Sequence, residues 1–288
     1  MIEFIFRQKN DALKLQQYLT KFDLQSWFHE TLFQHKTHYN LTIDVSSSHN
    51  GEERLLKGTT DYILFDKCID WAEDILRTQF YYEDANEIEQ ILEIVSDMRM
   101  GERPELDQLI EKWDEHSFIR KSLDLLLDGN TPVSFDSFST FRLKKLQLRM
   151  TEMVELAIDE YKMEQEYQMF IHMLREYLAS REKKLDTIHL YSTGFGFRFF
   201  DENMKEVSRE ELTAFIDKRL LTNHPLYVDS YTIAPLLSIA PDKIYVYGNG
   251  EHNLVRTLQN IFEERIELLP HHYFPETLLY RSIDIANE

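Results

Sequence analysis

The spacing of apolar residues changes along this chain, and each change marks a new kind of element. Ile2, Phe4 and Phe6 stand opposite Glu3, Ile5 and Arg7, a period of two that predicts a strand. Ala12 to Phe22 reads as a helix, with Asn10 or Asp11 as its cap. Trp27 to Phe33 and Tyr39 to Val45 carry aromatic and β-branched residues at period two, which predicts two more strands paired with the first. Ser46 to Glu53 then breaks the pattern, so the opening stretch is expected to form a small mixed sheet.

From Asp61 the period becomes helical. Ile63, Leu64, Cys68, Trp71, Ile75 and Leu76 define one amphipathic helix, Ile88, Leu92 and Val95 a second, and Leu106, Ile110 and Trp113 a third. Phe118 to Leu127 is apolar enough for a buried helix, and Asp128-Gly129-Asn130 is a stop signal. Ser137 to Lys184 contains no Gly or Pro and is rich in strong helix formers, so most of it should be one long helix, straight or kinked. Leu143, Leu146, Met150, Ile171, Leu174 and Leu178 follow one stripe on it, and Val154, Ile158 and Phe170 a second, so this helix needs neighbours on two sides.

After Lys184 the texture changes again. Thr187 to Val207 reads as two strands around Gly194 and Gly196, Ser208 to Glu211 as the capping box of a helix to about Leu220, and Ser230 to Ile239 as a short helix. Ile244 to Leu269 reads as a strand-helix-strand unit with parallel strands. The expected fold class is α+β: a small N-terminal mixed sheet, an acidic helical middle, one long central helix, and a C-terminal mixed β-sheet with flanking helices. Texture divides the chain into residues 1–130 and 131–288. All 8 glycines fall where loops are expected.

Composition narrows what such a fold does. The chain has 288 residues and 43% hydrophobic content, ample for a buried core. Its single cysteine, Cys68, fits a buried thiol in a reducing compartment. No run approaches the length of a membrane span, and the first residues lack a basic signal region, so a cytoplasmic location is expected. The net charge of −19 argues against nucleic acid as a partner. That charge is unevenly placed, with 19 acidic and 7 basic residues between Asp61 and Asp128.

Two groupings resemble chemistry and fall short of it. Glu160, Glu164, Gln168, His172 and Glu176 lie four apart on the long helix, but such a row drifts around the helix and lacks the Glu-x-x-His spacing of di-iron bundles. A solvated stripe or inter-helix hydrogen bonds account for it. Gly248-Asn249-Gly250-Glu251 follows a strand and precedes a helix, yet the third glycine of a dinucleotide fingerprint is missing and Glu251 opposes a pyrophosphate. No catalytic residue, cofactor or metal is expected.

A basic cluster remains. Arg142, Lys144, Lys145 and Arg149 precede the first acid of the long helix, where the helix dipole disfavours cations. They either pair with the acidic helices of residues 61–128 or, in part, face outward to receive an acidic or phosphorylated partner. Arg142, Lys145 and Arg149 share a face while Lys144 points elsewhere. The candidate partner-binding residues are Phe138, Phe141, Arg142, Lys145 and Arg149.

Phe138, Phe141, Arg142, Leu143 and Lys144, the segment Ala157 to Leu178, and Ser238 to Ile244 followed by a strand together resemble the YtxC-like family of sporulation proteins. The resemblance covers residues 131 to 269. It implies an association with endospore formation and brings no established activity, fold, cofactor or catalytic residue. The expectation is a sporulation-associated cytoplasmic protein that acts through protein-protein interaction. The alternative is a small-molecule or phosphate-binding enzyme or sensor using the C-terminal α/β crevice beside residues 248–251.

Overall fold

The structure, a computed structural model, describes residues 1–46, 49–111, 113–127, 131–193, 196–216, 231–248 and 253–278. The fold is α+β, with two mixed sheets and one long helix. Two compact units, residues 1–164 and 165–288, divide inside that helix.

In the first unit, strands β1 (Ile2–Phe6), β2 (Gln25–Phe33) and β3 (Lys36–Asp44) form the predicted antiparallel set. A fourth strand, β4 (Val133–Ser134), joins β1 in parallel and completes the order β2-β3-β1-β4. Two residues carry no readable period, so this strand has no counterpart among the elements expected from sequence. Phe4, Phe6, Leu41 and Ile43 are fully buried, as alternation demands. Helix α1 (Lys9–Lys21) starts earlier than expected, with Gln8 at the N-cap and no side-chain cap. Asp11 is therefore not the cap; it is buried in the first turn and paired with Lys67 at 2.7 Å.

The next helix also starts early. Helix α2 (Gly51–Tyr62) runs through a π turn at Ile63–Lys67 into α3 (Cys68–Thr78), so Gly51 and Gly58 are helical and not in loops. Both positions need a missing side chain. A Cβ on Gly51 would stand 2.0 Å from the Val45 carbonyl oxygen, and one on Gly58 would press the Phe22 ring of the neighbouring chain segment at 3.0 Å. Cys68 is buried, and burial pushes its thiol up to about 12.

Helix α4 (Ala85–Met100) is capped by the Asp84 carboxylate, which accepts from the Asn86 and Glu87 backbone N–H groups, and ends at Gly101 with φ 75°. The predicted third helix does not extend to Trp113: α5 (Pro104–Asp107) is a single turn. Leu106 and Ile110 are still buried, and Trp113 packs edge-on against Phe118, ring centres 4.7 Å apart, so tertiary contact replaces the helical period. Helix α6 (Glu115–Leu127) follows; the stop signal at residues 128–130 lies outside the described residues.

The long helical stretch is broken near its start. Helix α7 (Phe135–Arg142), capped by Ser134, stops at Leu143, whose φ and ψ are −100° and 14°, and α8 (Lys144–Ala179) continues from there. Leu143, at the break, and Leu146, in the first turn of α8, are fully buried.

In the second unit, α8 contributes the buried Ile171, Leu174 and Leu178. Strands β5 (Thr187–Thr193), β6 (Gly196–Phe200) and β7 (Glu206–Val207), helix α9 (Arg209–Phe215) with the predicted Ser208–Glu211 capping box, and helix α10 (Ile233–Ile239) follow. Strand β8 (Lys243–Tyr247), helix α11 (Asn253–Phe262) and strand β9 (Ile266–Leu269) close the sheet in the order β7-β6-β5-β8-β9. β8 is parallel to both β5 and β9, as the strand-helix-strand pattern requires. The expected end of α9 at Leu220 and the turn at residues 249–252 lie outside the described residues. No helix among the described residues is long and apolar enough to cross a membrane.

Candidate functional site

The break at Leu143 changes the electrostatics of the basic cluster. Arg142 now sits in the last turn of α7, where the helix dipole favours a cation, while Lys144 and Lys145 open α8, where it does not. What holds these cations must be sought in tertiary contacts.

Two of them are held from within. Arg149 Nε donates to Glu115 Oε1 at 2.7 Å, and its Nη1 donates to the Glu111 carbonyl. Glu115 is shared with Arg99, 3.2 Å away on α4. All three side chains are 13–17% exposed, so one carboxylate flanked by two guanidinium groups ties α8 to α6 and α4. Lys145 places its Nζ 4.6 Å from the centre of the Trp113 ring. Phe138 is also internal: it is 3% exposed and packs on Phe135, which stacks on Phe6 at 4.9 Å.

The other side of this region faces outward. Phe141 is 79% exposed and Leu148 57%, and Arg142 and Lys144 are exposed beside them. Neither cation makes an ion pair among the described residues. Beside Lys144 and Leu148, α3 and α8 leave a groove of about 290 Å³ lined also by Trp71, Asp74, Ile75, Gln79, Gln147 and Thr151. Of the five candidates read from sequence, Phe141, Arg142 and Lys145 reach the surface, while Phe138 is buried and Arg149 lies in the internal ion pairs. Sequence reasoning missed Trp71 and Leu148 as members of the outward side. The i, i+3, i+7 spacing of Phe141, Lys144 and Leu148 is the one signal that links them, and the break at Leu143 interrupts it.

Such a ridge can do simple chemistry of recognition. A guanidinium grips a carboxylate or phosphate in bidentate fashion, an ammonium adds a point charge, and two apolar side chains supply area to bury.

The four-apart row on α8 is explained by Arg103, whose Nη1 lies 3.2 Å from Glu160 and 2.8 Å from Glu164. These are inter-element hydrogen bonds. His172 and Glu176 pair in solvent at 3.4 Å. In the second unit, His189 stacks against Tyr245 and Tyr247 of the neighbouring strand, its Nδ1 3.0 Å from the Tyr247 hydroxyl. Burial holds its pKa below the usual imidazole value, against a smaller opposing pull from Asp201. Among the described residues, no group of three or more His, Cys, Asp or Glu side chains is placed to hold a metal ion.

A protein of Bacillus subtilis (strain 168) described as "Uncharacterized protein YtxC" is 35% identical over 203 residues, which span 70% of this chain and 71% of that protein. No solved structure matches. The match to the YtxC-like family runs over residues 54–267, and so takes in the acidic helices, the broken basic start of α8 and most of the second sheet. With that span and that relative, the chain belongs to the YtxC-like family.

Proposed function

We propose that this protein acts in the cytoplasm, in association with spore formation, by docking another protein on the ridge of Phe141, Arg142, Lys144 and Leu148. One observation carries the reading: a phenylalanine 79% exposed, followed within three residues by two exposed cations without ion pairs among the described residues, in a chain of net charge −19. Elsewhere in this unit Lys14, Lys67, Arg99, Arg103 and Arg149 are all paired with carboxylates. Free cations beside exposed apolar groups suit an acidic or phosphorylated partner segment. Lys145 borders the ridge, while Phe138 and Arg149 hold it from beneath. The link to sporulation rests on the family.

The double reversal Arg142→Glu/Lys144→Glu tests this. The variant should melt like the parent, because the reversed groups leave no partner behind. Spore yield in a strain carrying it should fall, and retention of the acidic partner with it. Normal melting with normal spore yield would overturn the reading.

A further inference from the structure

A polar cleft of about 480 Å³ opens in the first unit where the starts of α1 and α7 approach α3. It holds the ion pair of Asp11 and Lys67, whose side chains are 7% and 13% exposed. Lys67 belongs to the π turn, an insertion that re-aims the side chains following it. Helix α1 reaches the cleft with no side-chain cap on its first turn. Ser139 on α7 also lines it; this residue is 5% exposed, and its Oγ has no hydrogen-bond partner. A buried hydroxyl without a partner is a standing loss that a suitable ligand group can repair.

The chemistry of the lining narrows the ligand. Among the carboxylates, Asp11 is held by Lys67, Asp70 by Lys14 at 3.0 Å, and Glu73 by Arg77 at 2.9 Å. Asp136 accepts the Arg7 backbone N–H at 3.0 Å. That leaves Asp74 and Asp136 against the guanidinium of Arg7, a balance that repels a phosphate or other polyanion. An apolar ligand would strand the polar walls without partners. Beside these charges stand neutral groups that both donate and accept: the amides of Gln8, Asn10 and Gln147 and the Ser139 hydroxyl. Trp71 adds a flat apolar wall. The volume lies within the range of small-molecule sites.

We infer that this cleft binds a small neutral polyhydroxylated molecule, of the chemistry of a monosaccharide or polyol, with Ser139 and Asn10 among its hydrogen-bonding partners. The cleft shares Trp71, Asp74 and Gln147 with the groove behind the docking ridge, while Asn10 and Ser139 line the cleft and Lys144 and Leu148 the groove, so variants at these four positions test the two readings apart.

Calorimetric titration of the full chain with glucose, mannitol and myo-inositol tests it, with inorganic phosphate and putrescine as charged controls. At least one polyol should bind saturably below about 100 mM, a concentration that nearly fills a site of 1 mM Kd. Ser139→Ala and Asn10→Ala should each weaken binding about tenfold, roughly 1.4 kcal/mol. Ser139→Ala should leave the melting temperature of the free protein unchanged or raised, since it removes an orphan hydroxyl. Gln147→Ala, on α8, serves as an independent variant should either of the others fold poorly. Absence of saturable binding by every polyol, preference for phosphate or putrescine, or parental affinity in the variants would overturn the proposal.

Discussion

The two sides of the α7–α8 junction share one stretch of sequence and have opposite fates. Toward α6 and α4, Arg149 is locked to Glu115, Lys145 covers Trp113, and Phe138 is sealed in an aromatic core. Lys144 and Leu148 line the open groove with α3, and Phe141 and Arg142 stand in solvent at the end of α7. The difference teaches that charge type does not decide the role of a cation; what lies opposite does. A carboxylate already desolvated between two guanidinium groups gives a structural cation, and open solvent beside an exposed phenylalanine leaves a cation available for recognition.

The largest expected effect falls on the sealed side. Phe138→Ala should destabilise the protein by about 3–5 kcal/mol, the usual cost of emptying a buried phenylalanine site, whereas Phe141→Ala should change stability by less than about 0.5 kcal/mol. Urea denaturation of the two variants reads the contrast directly. Equal losses would mean that Phe141 is covered in solution and would dissolve the distinction.

Glu115→Ala comes next, since it strands two poorly exposed guanidinium groups and should cost about 3–5 kcal/mol. Replacing Glu115 with Gln keeps the shape and removes the charge, so it should recover only part of that loss. A cost under about 1 kcal/mol for Glu115→Ala would show that Arg99 and Arg149 find water easily, and the side assigned to structure would then be open.

Much of this architecture was readable from residue order, and the failures have particular causes. The alternation of Ile2, Phe4 and Phe6 and the stripe of Ile171, Leu174 and Leu178 gave β1 and the buried face of α8 because one face of each must leave water. Gly51 and Gly58 mislead because glycine usually marks a loop, while here it admits the Val45 carbonyl and the Phe22 ring at close range. The break falls at the fully buried Leu143, inside a stretch without Gly or Pro, where residue order carries no breaker to place it. The polar cleft was invisible for a related reason: Asp11, Lys67 and Ser139 come from distant segments, and the π turn that brings Lys67 round obeys no simple period. Charge segregation did point to internal pairing, and Arg149 with Glu115 realises it.

The smallest expected effect gives the sharpest form of the comparison, because it concerns neighbouring lysines. Lys144 and Lys145 carry the same charge in the same dipole field at the start of α8, so local helix physics treats them alike. Their surroundings differ: Lys145 lies 4.6 Å above the Trp113 ring, and Lys144 lines the open groove beside Leu148. Lys145→Ala should therefore lose about 0.5–1 kcal/mol, the range for a cation over an exposed aromatic ring. Lys144→Ala should stay within about 0.3 kcal/mol of the parent, or gain slightly, since it removes an unfavourable cation from a helix N-terminus. Binding should rank the pair the other way, with Lys144→Ala weakening retention of an acidic partner more than Lys145→Ala. Should stability and binding fall together for Lys145 while Lys144 moves neither, recognition belongs to the Trp113 side and the two faces exchange roles.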